Sequence, residues 1–255
     1  MHVPVEFAAK TFNVLARIRE RAPRVHCITN TVAQQYTANI LLAVGAVPSM
    51  TVSPDEVGSF VADADALLVN LGTFDAERRA AIDVAVGAAN AARMPWVLDP
   101  VLIDRAPPRA ELARQLACRA PAVVRLNTAE FTTLSGGDPA EDAAVRFANT
   151  YGTVVALTGR VDRVTDGVRQ AVIANGDPLM GAVTAMGCAG SALVCAALTV
   201  ETYSWIAATA AVVALGVAGE VAAEAARGPG SFASVIIDAL HGLDAATLRA
   251  RTRVS

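Results

Sequence analysis

Short apolar runs alternate with longer alanine-rich stretches through the first two thirds of the chain. The apolar runs lack polar alternation, which is typical of strands covered on both faces of a parallel sheet. They predict strands at 25–28, 46–49, 66–70, 96–98, 123–126 and 154–157. The stretches between them predict helices at 31–44, 54–63, 75–92, 110–117 and 140–150. The pattern therefore predicts a doubly wound α/β fold, with a mostly parallel central sheet flanked by helices.

The last third of the chain has a different pattern. The pair Asp166-Gly167 is a tight-turn signal between runs at 163–165 and 168–174, which predicts a β-hairpin. Helical patterns then cover 188–198, 204–226 and 231–240, and residues 227–230 separate the last two. No Ser/Gly-rich linker, fixed-period repeat or low-complexity tract interrupts the sequence. We therefore expect a single domain over residues 1–255.

The composition excludes several classes of protein. Of the 255 residues, 54% are hydrophobic and 18% are charged, which excludes a disordered chain. The net charge is −3, Lys10 is the one lysine, and no basic stripe is present, so we expect no nucleic-acid partner. Cys27, Cys118, Cys188 and Cys195 form no CxxC pair, which argues against a zinc site and for reduced thiols in a cytoplasm.

One segment has the composition of a membrane span. Residues 205–219 are apolar except for Thr209, and Glu220 and Glu224 follow them. This segment is shorter than the roughly 18 residues that a span requires, so we expect a helix buried inside a soluble protein. The first ten residues lack the basic and apolar regions of a signal peptide. The expected location is the cytoplasm, with no membrane partner.

Polar residues recur directly after the predicted strands. Because ligands of open α/β sheets bind beyond the carboxyl ends of the strands, these residues form a candidate binding rim. The rim consists of Thr29-Asn30, Met50-Thr51, Asn70-Leu71-Gly72-Thr73, Asp99-Pro100, Asn127 with Glu130, and Thr158-Gly159. The repetition of polar groups at this position carries more weight than any one member.

Two carboxylates of the rim have two interpretations each. Asp99 is either a turn residue at a strand end or a ligand of a cation. Asn127 and Glu130 have the spacing of a helix capping box, and local physics favours that interpretation. Two carboxylates on one rim would also suit Mg²⁺, a hard cation that takes one or two carboxylates and keeps several waters.

The small residues at 183–192 open a predicted helix. A helix start offers free N–H donors and partial positive charge, so it is able to hold a phosphate, although packing alone explains most such segments. Cys188 lies at this start, where we expect the helix dipole to lower the thiol pKa; the alternative is a buried structural thiol. Cys195 is expected in the core, and His26 is expected to be a buried histidine with satisfied hydrogen bonds.

An ordered set of motifs runs from about residue 23 to residue 240. It comprises Val25-His-Cys-Ile-Thr-Asn30, Thr37-Ala-Asn39, Leu41-Leu-Ala-Val-Gly-Ala46 through Met50, Asn70-Leu-Gly-Thr73, Trp96-Val-Leu-Asp-Pro-Val101, Arg125 with Asn127 and Glu130, Thr158-Gly159 with Asp162, Thr165-Asp-Gly167, Gly176-Asp-Pro-Leu179, Gly187-Cys188 and Gly228-Pro-Gly-Ser-Phe232. In content and order this set resembles the hydroxyethylthiazole kinase family of the ribokinase-like superfamily.

The resemblance implies a fold, an activity and a set of site residues. It implies Mg-ATP-dependent phosphorylation of the hydroxyethyl group of 4-methyl-5-(2-hydroxyethyl)thiazole in thiamine biosynthesis and salvage, by a homotrimer with sites near subunit boundaries. The residues it implies are Met50 for the thiazole, with Asn30, Gly72, Thr73 and Ala185 as further substrate contacts; Arg125, Thr158, Asn127 and Gly187 for ATP; Asp99 and Glu130 for Mg²⁺; and Cys188 as the base for the alcohol.

The sequence departs from the family pattern beside the implied site. The family turn G-T-G-C is Ala185-Met186-Gly187-Cys188 here, and Leu126 replaces a family glycine next to Arg125. Alanine is strained if position 185 needs a positive φ, and Met186 is bulkier than threonine. These changes leave two alternatives open: a thiazole- or nucleotide-binding protein with lost or weak transfer, and a kinase of the same fold for another small alcohol.

Overall fold

The computed structural model describes residues 3–137 and 142–255. The helices in these ranges are α1 (Val3–Arg21), α2 (Gln34–Ala43), α3 (Pro54–Ala62), α4 (Ala76–Ala91), α5 (Pro107–Ala117), α6 (Thr128–Ser135), α7 (Ala143–Tyr151), a 3₁₀ helix (Pro178–Ala182), α8 (Met186–Leu198), α9 (Ser204–Ala225), α10 (Pro229–His241) and α11 (Ala245–Arg251). The strands are β1 (Arg24–Ile28), β2 (Val47–Ser49), β3 (Ala66–Asn70), β4 (Trp96–Asp99), β5 (Val123–Asn127), β6 (Val154–Thr158), β7 (Asp162–Thr165) and β8 (Gln170–Ile173).

The eight strands of the described residues belong to one sheet, in the order β2-β1-β3-β4-β5-β6-β7-β8. The first six strands in this order run parallel, and β7 and β8 are antiparallel additions. The register places Asn70 beside Asp99 and Asn127 beside Thr158, at the last residues of neighbouring strands. Polar side chains that are distant in sequence are thereby brought to one edge of the sheet.

Helices cover both faces of the sheet. Successive strand side chains point to opposite faces, so Ala66 and Leu68 pack into one core while Leu67 and Val69 pack into the other. The first core also contains side chains of α1, α2, α8, α9 and α10, and the second contains side chains of α3 to α7. Burial on both faces explains why the strands lack polar alternation, and the predicted doubly wound fold is confirmed.

The structure extends and corrects several of the predicted elements. All six predicted parallel strands and the hairpin are present. The helix predicted at 110–117 begins at Pro107, because proline at the first helical turn loses no hydrogen bond. The helix predicted at 140–150 lies partly outside the described residues. Helices α1 and α11 were not expected from the sequence pattern.

Helix α9 is longer than the apolar segment that the sequence predicts, so length alone does not exclude a membrane span. It has 22 residues, so within the described ranges it is long and apolar enough to cross a membrane by those two criteria alone. However, 78% of its apolar window is buried inside the molecule. Its alanines and valines pack on α8 and α10 and on the sheet, which is the behaviour of a core helix.

Candidate functional site

A cleft of about 600 Å³ lies where β5 and β6 end and α8 begins. Arg125, Asn127, Thr158 and Gly187 all line it. These are the four residues for which the family resemblance implies ATP contacts. Other lining residues were not predicted as contacts, among them Asp162, Asn175, Gly176, Met180, Met186 and Leu215. The cleft therefore combines polar strand ends with an apolar wall formed by Met180, Met186 and residues of α9 such as Leu215.

Arg125 is held against the first turn of α8. Its Nη1 donates to the carbonyl oxygen of Gly187 at 2.7 Å and to Ser191 Oγ at 3.4 Å. A side chain at position 190 would collide with the guanidinium, since a Cβ built on Gly190 lies 2.9 Å from Nη2. Within the described part of the chain, Arg125 Nε has no hydrogen-bond partner. The arginine is thus fixed in place, with its positive charge at the wall of the cleft.

Asp99 is buried at the end of β4, at 4% exposure. Its Oδ2 accepts hydrogen bonds from Asn70 Nδ2 at 2.7 Å and from Ser191 Oγ at 2.8 Å. Burial raises the pKa of Asp99 to about 6; the Arg125 charge opposes this rise, and the Glu130 charge adds to it. The Glu130 carboxylate is thus close enough to Asp99 for its charge to act on that side chain.

Glu130 forms the capping box that its spacing predicts. Its Oε2 accepts from the backbone N–H of Asn127 at 2.9 Å, while Asn127 Oδ1 accepts from the N–H of Glu130 at 2.9 Å. Its Oε1 accepts from the N–H of Leu102 at 2.8 Å. The interpretation as a helix cap is confirmed, and the carboxylate also ties α6 to the segment after β4.

Asp99 and Glu130 are residues of the type that binds a magnesium ion. Over the described ranges, no group of three or more His, Cys, Asp and Glu side chains could hold a metal. Mg²⁺ does not need such a group, because it keeps several waters and takes one or two carboxylates. Asp99 Oδ1 accepts no hydrogen bond from the described residues, so a hard oxygen donor remains for a cation.

The residue that caps the N-terminus of helix α8 is strained. Ala185 caps the helix with φ +70°, in the left-handed region that favours glycine. The conditional expectation of strain at this alanine is confirmed. Met186 follows with 6% exposure and lines the cleft.

The expectation of a lowered thiol pKa at Cys188 is wrong. The side chain is 9% exposed, and its Sγ accepts from Asn30 Nδ2 at 3.3 Å. Burial raises the pKa of Cys188 to about 12, and the Asp99 charge adds to the rise. Removal from water and a nearby carboxylate both disfavour the thiolate, and they outweigh the hydrogen bonds from Asn30 and Asn70 and the Arg125 charge. At neutral pH the thiol is protonated.

The residues predicted to contact the substrate divide into two groups. Asn30 and Gly72 lie with Cys188 and Asn70 in one buried polar cluster at the ends of β1 and β3. Neither these two nor the other three predicted contacts, Met50, Thr73 and Ala185, line the 600 Å³ cleft. Thr73 hydrogen-bonds through Oγ1 to the backbone N–H of Thr31 at 3.2 Å, and Met50 is half-buried directly after the edge strand β2.

His26 fixes the segment around Met50. Its Nδ1 lies 2.8 Å from Ser49 Oγ, and its Nε2 lies 3.3 Å from the carbonyl oxygen of Thr51. A carbonyl only accepts, so Nε2 carries the proton and Nδ1 accepts from the serine hydroxyl. Burial lowers the pKa of His26 to about 4. The expected satisfied buried histidine is confirmed, and Cys195 is in the core as expected.

Ser191 is a site residue that the sequence interpretation missed. Its hydroxyl joins Asp99 to Arg125, and it is fully buried on α8. The available signal was a single hydroxyl four residues after Gly187 in an otherwise apolar helix. Residues four apart share a helix face, so Gly187 and Ser191 both meet Arg125.

Comparison with solved structures defines the class of fold. A ribokinase-like superfamily protein from Enterococcus faecalis superposes with a TM-score of 0.68 at 12% identity, covering 89% of this chain and 93% of that one. Staphylococcus aureus pyridoxal kinase bound to pyridoxal superposes with a TM-score of 0.63 at 18% identity, covering 78% and 88%. At these identities the similarity shows the fold alone: the protein has a ribokinase-like fold.

Closer relatives identify the family. The sequence model of the hydroxyethylthiazole kinase family matches residues 15–246. The probable hydroxyethylthiazole kinase of Agrobacterium fabrum is 42% identical over 91% of this chain and 89% of its own. The hydroxyethylthiazole kinase of Granulibacter bethesdensis is 44% identical over 96% and 94%. The hydroxyethylthiazole kinase protein of Pyrococcus horikoshii is 36% identical and superposes with a TM-score of 0.92, covering 96% and 98%. The chain belongs to the hydroxyethylthiazole kinase family.

Proposed function

We propose that this protein transfers the terminal phosphoryl group of ATP to the hydroxyethyl group of 4-methyl-5-(2-hydroxyethyl)thiazole, in thiamine biosynthesis and salvage. Family membership supports the reaction class and the substrate. The observation that carries the proposal is the cleft in which Arg125, Asn127, Thr158 and Gly187 meet next to Asp99 and Cys188. Phosphoryl transfer depends on positioning and charge neutralisation, and this geometry can supply both.

In this proposal the 600 Å³ cleft takes the nucleotide. Arg125 neutralises phosphate charge from its fixed position on the Gly187 carbonyl. Thr158 and Asn127 contact the nucleotide from the ends of β6 and β5, and the first turn of α8 offers backbone donors at Gly187. The apolar wall formed by Met180, Met186 and Leu215 suits the base or sugar face of a nucleotide.

Magnesium is part of the proposal. Asp99 would hold it from the end of β4 and Glu130 from the first turn of α6, directly or through water. When bound, it would neutralise charge on the phosphates. Both carboxylates are already held by hydrogen bonds, so their positions do not depend on the cation.

The alcohol is proposed to bind at the Cys188 end of the cluster. Asn30, Gly72, Thr73, Ala185 and Met50 are the proposed contacts. Cys188 is the proposed acceptor of the alcohol proton, but its protonated state at neutral pH limits this contribution. We therefore expect positioning to account for most of the rate enhancement, with base catalysis at the low end of the usual range of roughly 10²–10⁴-fold.

We also propose one domain over residues 1–255, a cytoplasmic location and a homotrimer. One continuous sheet with a core on each face supports the domain assignment.

The homotrimer is supported by the position of Met50, which follows the edge strand β2 and lies away from the nucleotide cleft, where a second subunit could complete the site. Light scattering after size-exclusion chromatography measures the subunit number directly.

The decisive experiment is a transfer assay with purified protein. With Mg-ATP and 4-methyl-5-(2-hydroxyethyl)thiazole, we expect one ADP and one phosphorylated thiazole per turnover, detected by mass spectrometry. Thiazole binding without product would overturn the kinase proposal and support a binding protein. Faster phosphorylation of another alcohol in a panel of hydroxymethylpyrimidines and sugars would reassign the substrate.

A further inference from the structure

Asn70 is the centre of a buried hydrogen-bond network. It is the last residue of β3 and is 1% exposed. Its Nδ2 donates to Asp99 Oδ2 at 2.7 Å, and its Oδ1 accepts from the backbone N–H of Gly72 at 3.0 Å and from Asn30 Nδ2 at 3.2 Å. The one side chain therefore joins a candidate metal ligand to two candidate substrate contacts.

The direction of each hydrogen bond in this network is fixed by chemistry. An ionised carboxylate only accepts, so the amide nitrogen of Asn70 must face Asp99. A backbone N–H only donates, so the amide oxygen of Asn70 must face Gly72. Both constraints give Asn70 the same orientation. Asn30 must then direct its own amide nitrogen at Asn70 Oδ1.

This orientation leaves one polar atom of Asn30 unused. The Asn30 amide nitrogen donates to Asn70 and to Cys188 Sγ at 3.3 Å. Its Oδ1 is buried and has no partner among the described residues, and the whole residue is 7% exposed. A buried acceptor without a donor costs free energy, so an unpaired carbonyl oxygen beside Cys188 points to a ligand that donates a hydrogen bond.

Gly72 keeps Asn30 in place from the other side. A Cβ at position 72 would lie 2.5 Å from Asn30 Cβ and 2.8 Å from Asn30 Nδ2. No side chain fits at position 72 unless Asn30 moves. The Asn30 side chain is thus held between the backbone at Gly72 and the amide of Asn70.

We propose that Asn70 is a positioning residue that orients Asn30, so that Asn30 Oδ1 accepts a hydrogen bond from the hydroxyl of the alcohol substrate. The inference rests on the proposed function, because it takes a primary alcohol as the ligand at Cys188. This hydrogen bond would hold the hydroxyl in the bound complex. Asn30 Nδ2 lies 3.3 Å from Cys188 Sγ, so the bonded hydrogen is close to the proposed proton acceptor and passes to the thiolate form of Cys188 as the phosphoryl group leaves ADP for the alcohol oxygen. Asn70 acts through Asn30 and does not touch the substrate.

The test compares two ligands that differ only in the hydroxyl. Calorimetry measures binding of 4-methyl-5-(2-hydroxyethyl)thiazole and of 4-methyl-5-ethylthiazole to wild type and to Asn70→Ala. We expect wild type to bind the alcohol about tenfold more tightly, as one net hydrogen bond allows. We expect the two ligands to bind Asn70→Ala equally. Asn70→Ser provides a second, less disruptive variant with the same expected loss of preference.

Asn90→Ala is the matched control. Asn90 accepts from Trp96 Nε1 at 3.0 Å and donates to the Arg119 carbonyl at 3.0 Å, near the amino end of β4. It also joins three parts of the chain, but it lies at the opposite end of the strand from Asp99. We expect Asn90→Ala to keep the preference for the alcohol even if it lowers stability.

Turnover gives an independent readout. We expect Asn70→Ala to lower kcat by about 10²-fold, the cost of misplacing a reacting group. Because Asn70 also donates to Asp99, a proposed magnesium ligand, turnover is measured at saturating Mg-ATP. Equal weakening of both thiazoles, or an unchanged preference in a folded Asn70 variant, overturns the proposal while leaving the kinase function intact. If wild type binds neither thiazole, both the proposed function and this inference fail.

Discussion

The residue that caps the N-terminus of α8 has a strained backbone conformation that a glycine would relieve. Ala185 adopts φ +70°, where a Cβ crowds the following carbonyl, and a residue with a side chain loses about 1–2 kcal/mol there. Glycine removes this strain, but it gives the unfolded chain more conformational freedom. That freedom lowers the stability of the folded state by about 0.5–1 kcal/mol. The strain lies three residues before Cys188, so it is located beside the proposed chemistry.

Ala185→Gly is expected to stabilise the protein by up to about 1 kcal/mol, because relief of the left-handed strain exceeds the entropy that glycine adds. Urea unfolding measures the difference. Ala80→Gly is the matched control: it makes the same change at an exposed position within α4, where we expect a loss of about 1 kcal/mol. Equal destabilisation by both variants would show that Ala185 is not strained.

Cys188 is expected to react slowly with iodoacetamide at pH 7.5, because its thiol pKa is raised to about 12 and only the thiolate reacts. Its rate should keep rising with pH between 8 and 10 without reaching a plateau. Mass spectrometry should find the exposed Cys118 modified first. A plateau below pH 8 would show that the helix start stabilises the thiolate after all.

At the scale of elements, the short helix α6 connects two parts of the site. Its capping box fixes Glu130, and the second carboxylate oxygen of Glu130 binds the backbone of Leu102 after β4. Helix start, strand end and loop are thus joined through one side chain. The same carboxylate is a proposed magnesium ligand, so its structural and functional roles need separate measurements.

Glu130→Gln should destabilise the protein by about 1–2 kcal/mol, because a glutamine amide cannot accept from both backbone N–H groups. Urea unfolding without magnesium measures this structural part. If Glu130 also holds the cation, the variant will need more Mg²⁺ for half-maximal turnover. Glu111→Gln, on the exposed face of α5, should change neither quantity by a measurable amount. Loss of stability with an unaltered magnesium requirement would leave Glu130 as a cap only.

At the scale of the whole molecule, the edge of the sheet depends on a neutral histidine. His26 is fully buried in β1 and holds β2 and the segment to Thr51 by two hydrogen bonds. The folded state lowers its pKa from 6.5 to about 4, so between these values the unfolded chain binds the proton more readily. The stability that depends on neutral His26 is complete above pH 6.5 and is lost as the pH falls toward 4.

Wild type should lose stability as the pH falls from 6.5 to 4, because His26 must stay neutral in the folded state. His26→Gln lacks this titrating group, so its loss over the same range should be smaller by up to about 3 kcal/mol. The measurement is the free energy of unfolding of both proteins across this range. Ser49→Ala serves as the control, since it removes one partner of the ring without removing the titrating group. A constant offset is expected for Ser49→Ala, and parallel curves for His26→Gln and wild type would contradict the assignment.

The extent to which the site could be predicted differs from residue to residue. Asn127 and Glu130 are three residues apart, so their capping box was readable from spacing alone. The pKa of Cys188 was not, because it depends on burial and on Asp99, which is 89 positions away in the sequence and contributes its charge only in the folded state. Helix α1 was missed because its burial comes from docking on α9 and α11.

The sequence by itself determined the order of the strands along the chain, the helices between them, the hairpin and the polar residues at the strand ends. These features follow from local periodicity, turn chemistry and motif order, which need no knowledge of distant contacts. Only the tertiary structure decided the protonation of Cys188, the direction of the amides from Asp99 through Asn70 to Asn30, and the strain at Ala185. Each of these depends on groups far apart in the chain, or on a backbone angle that packing imposes.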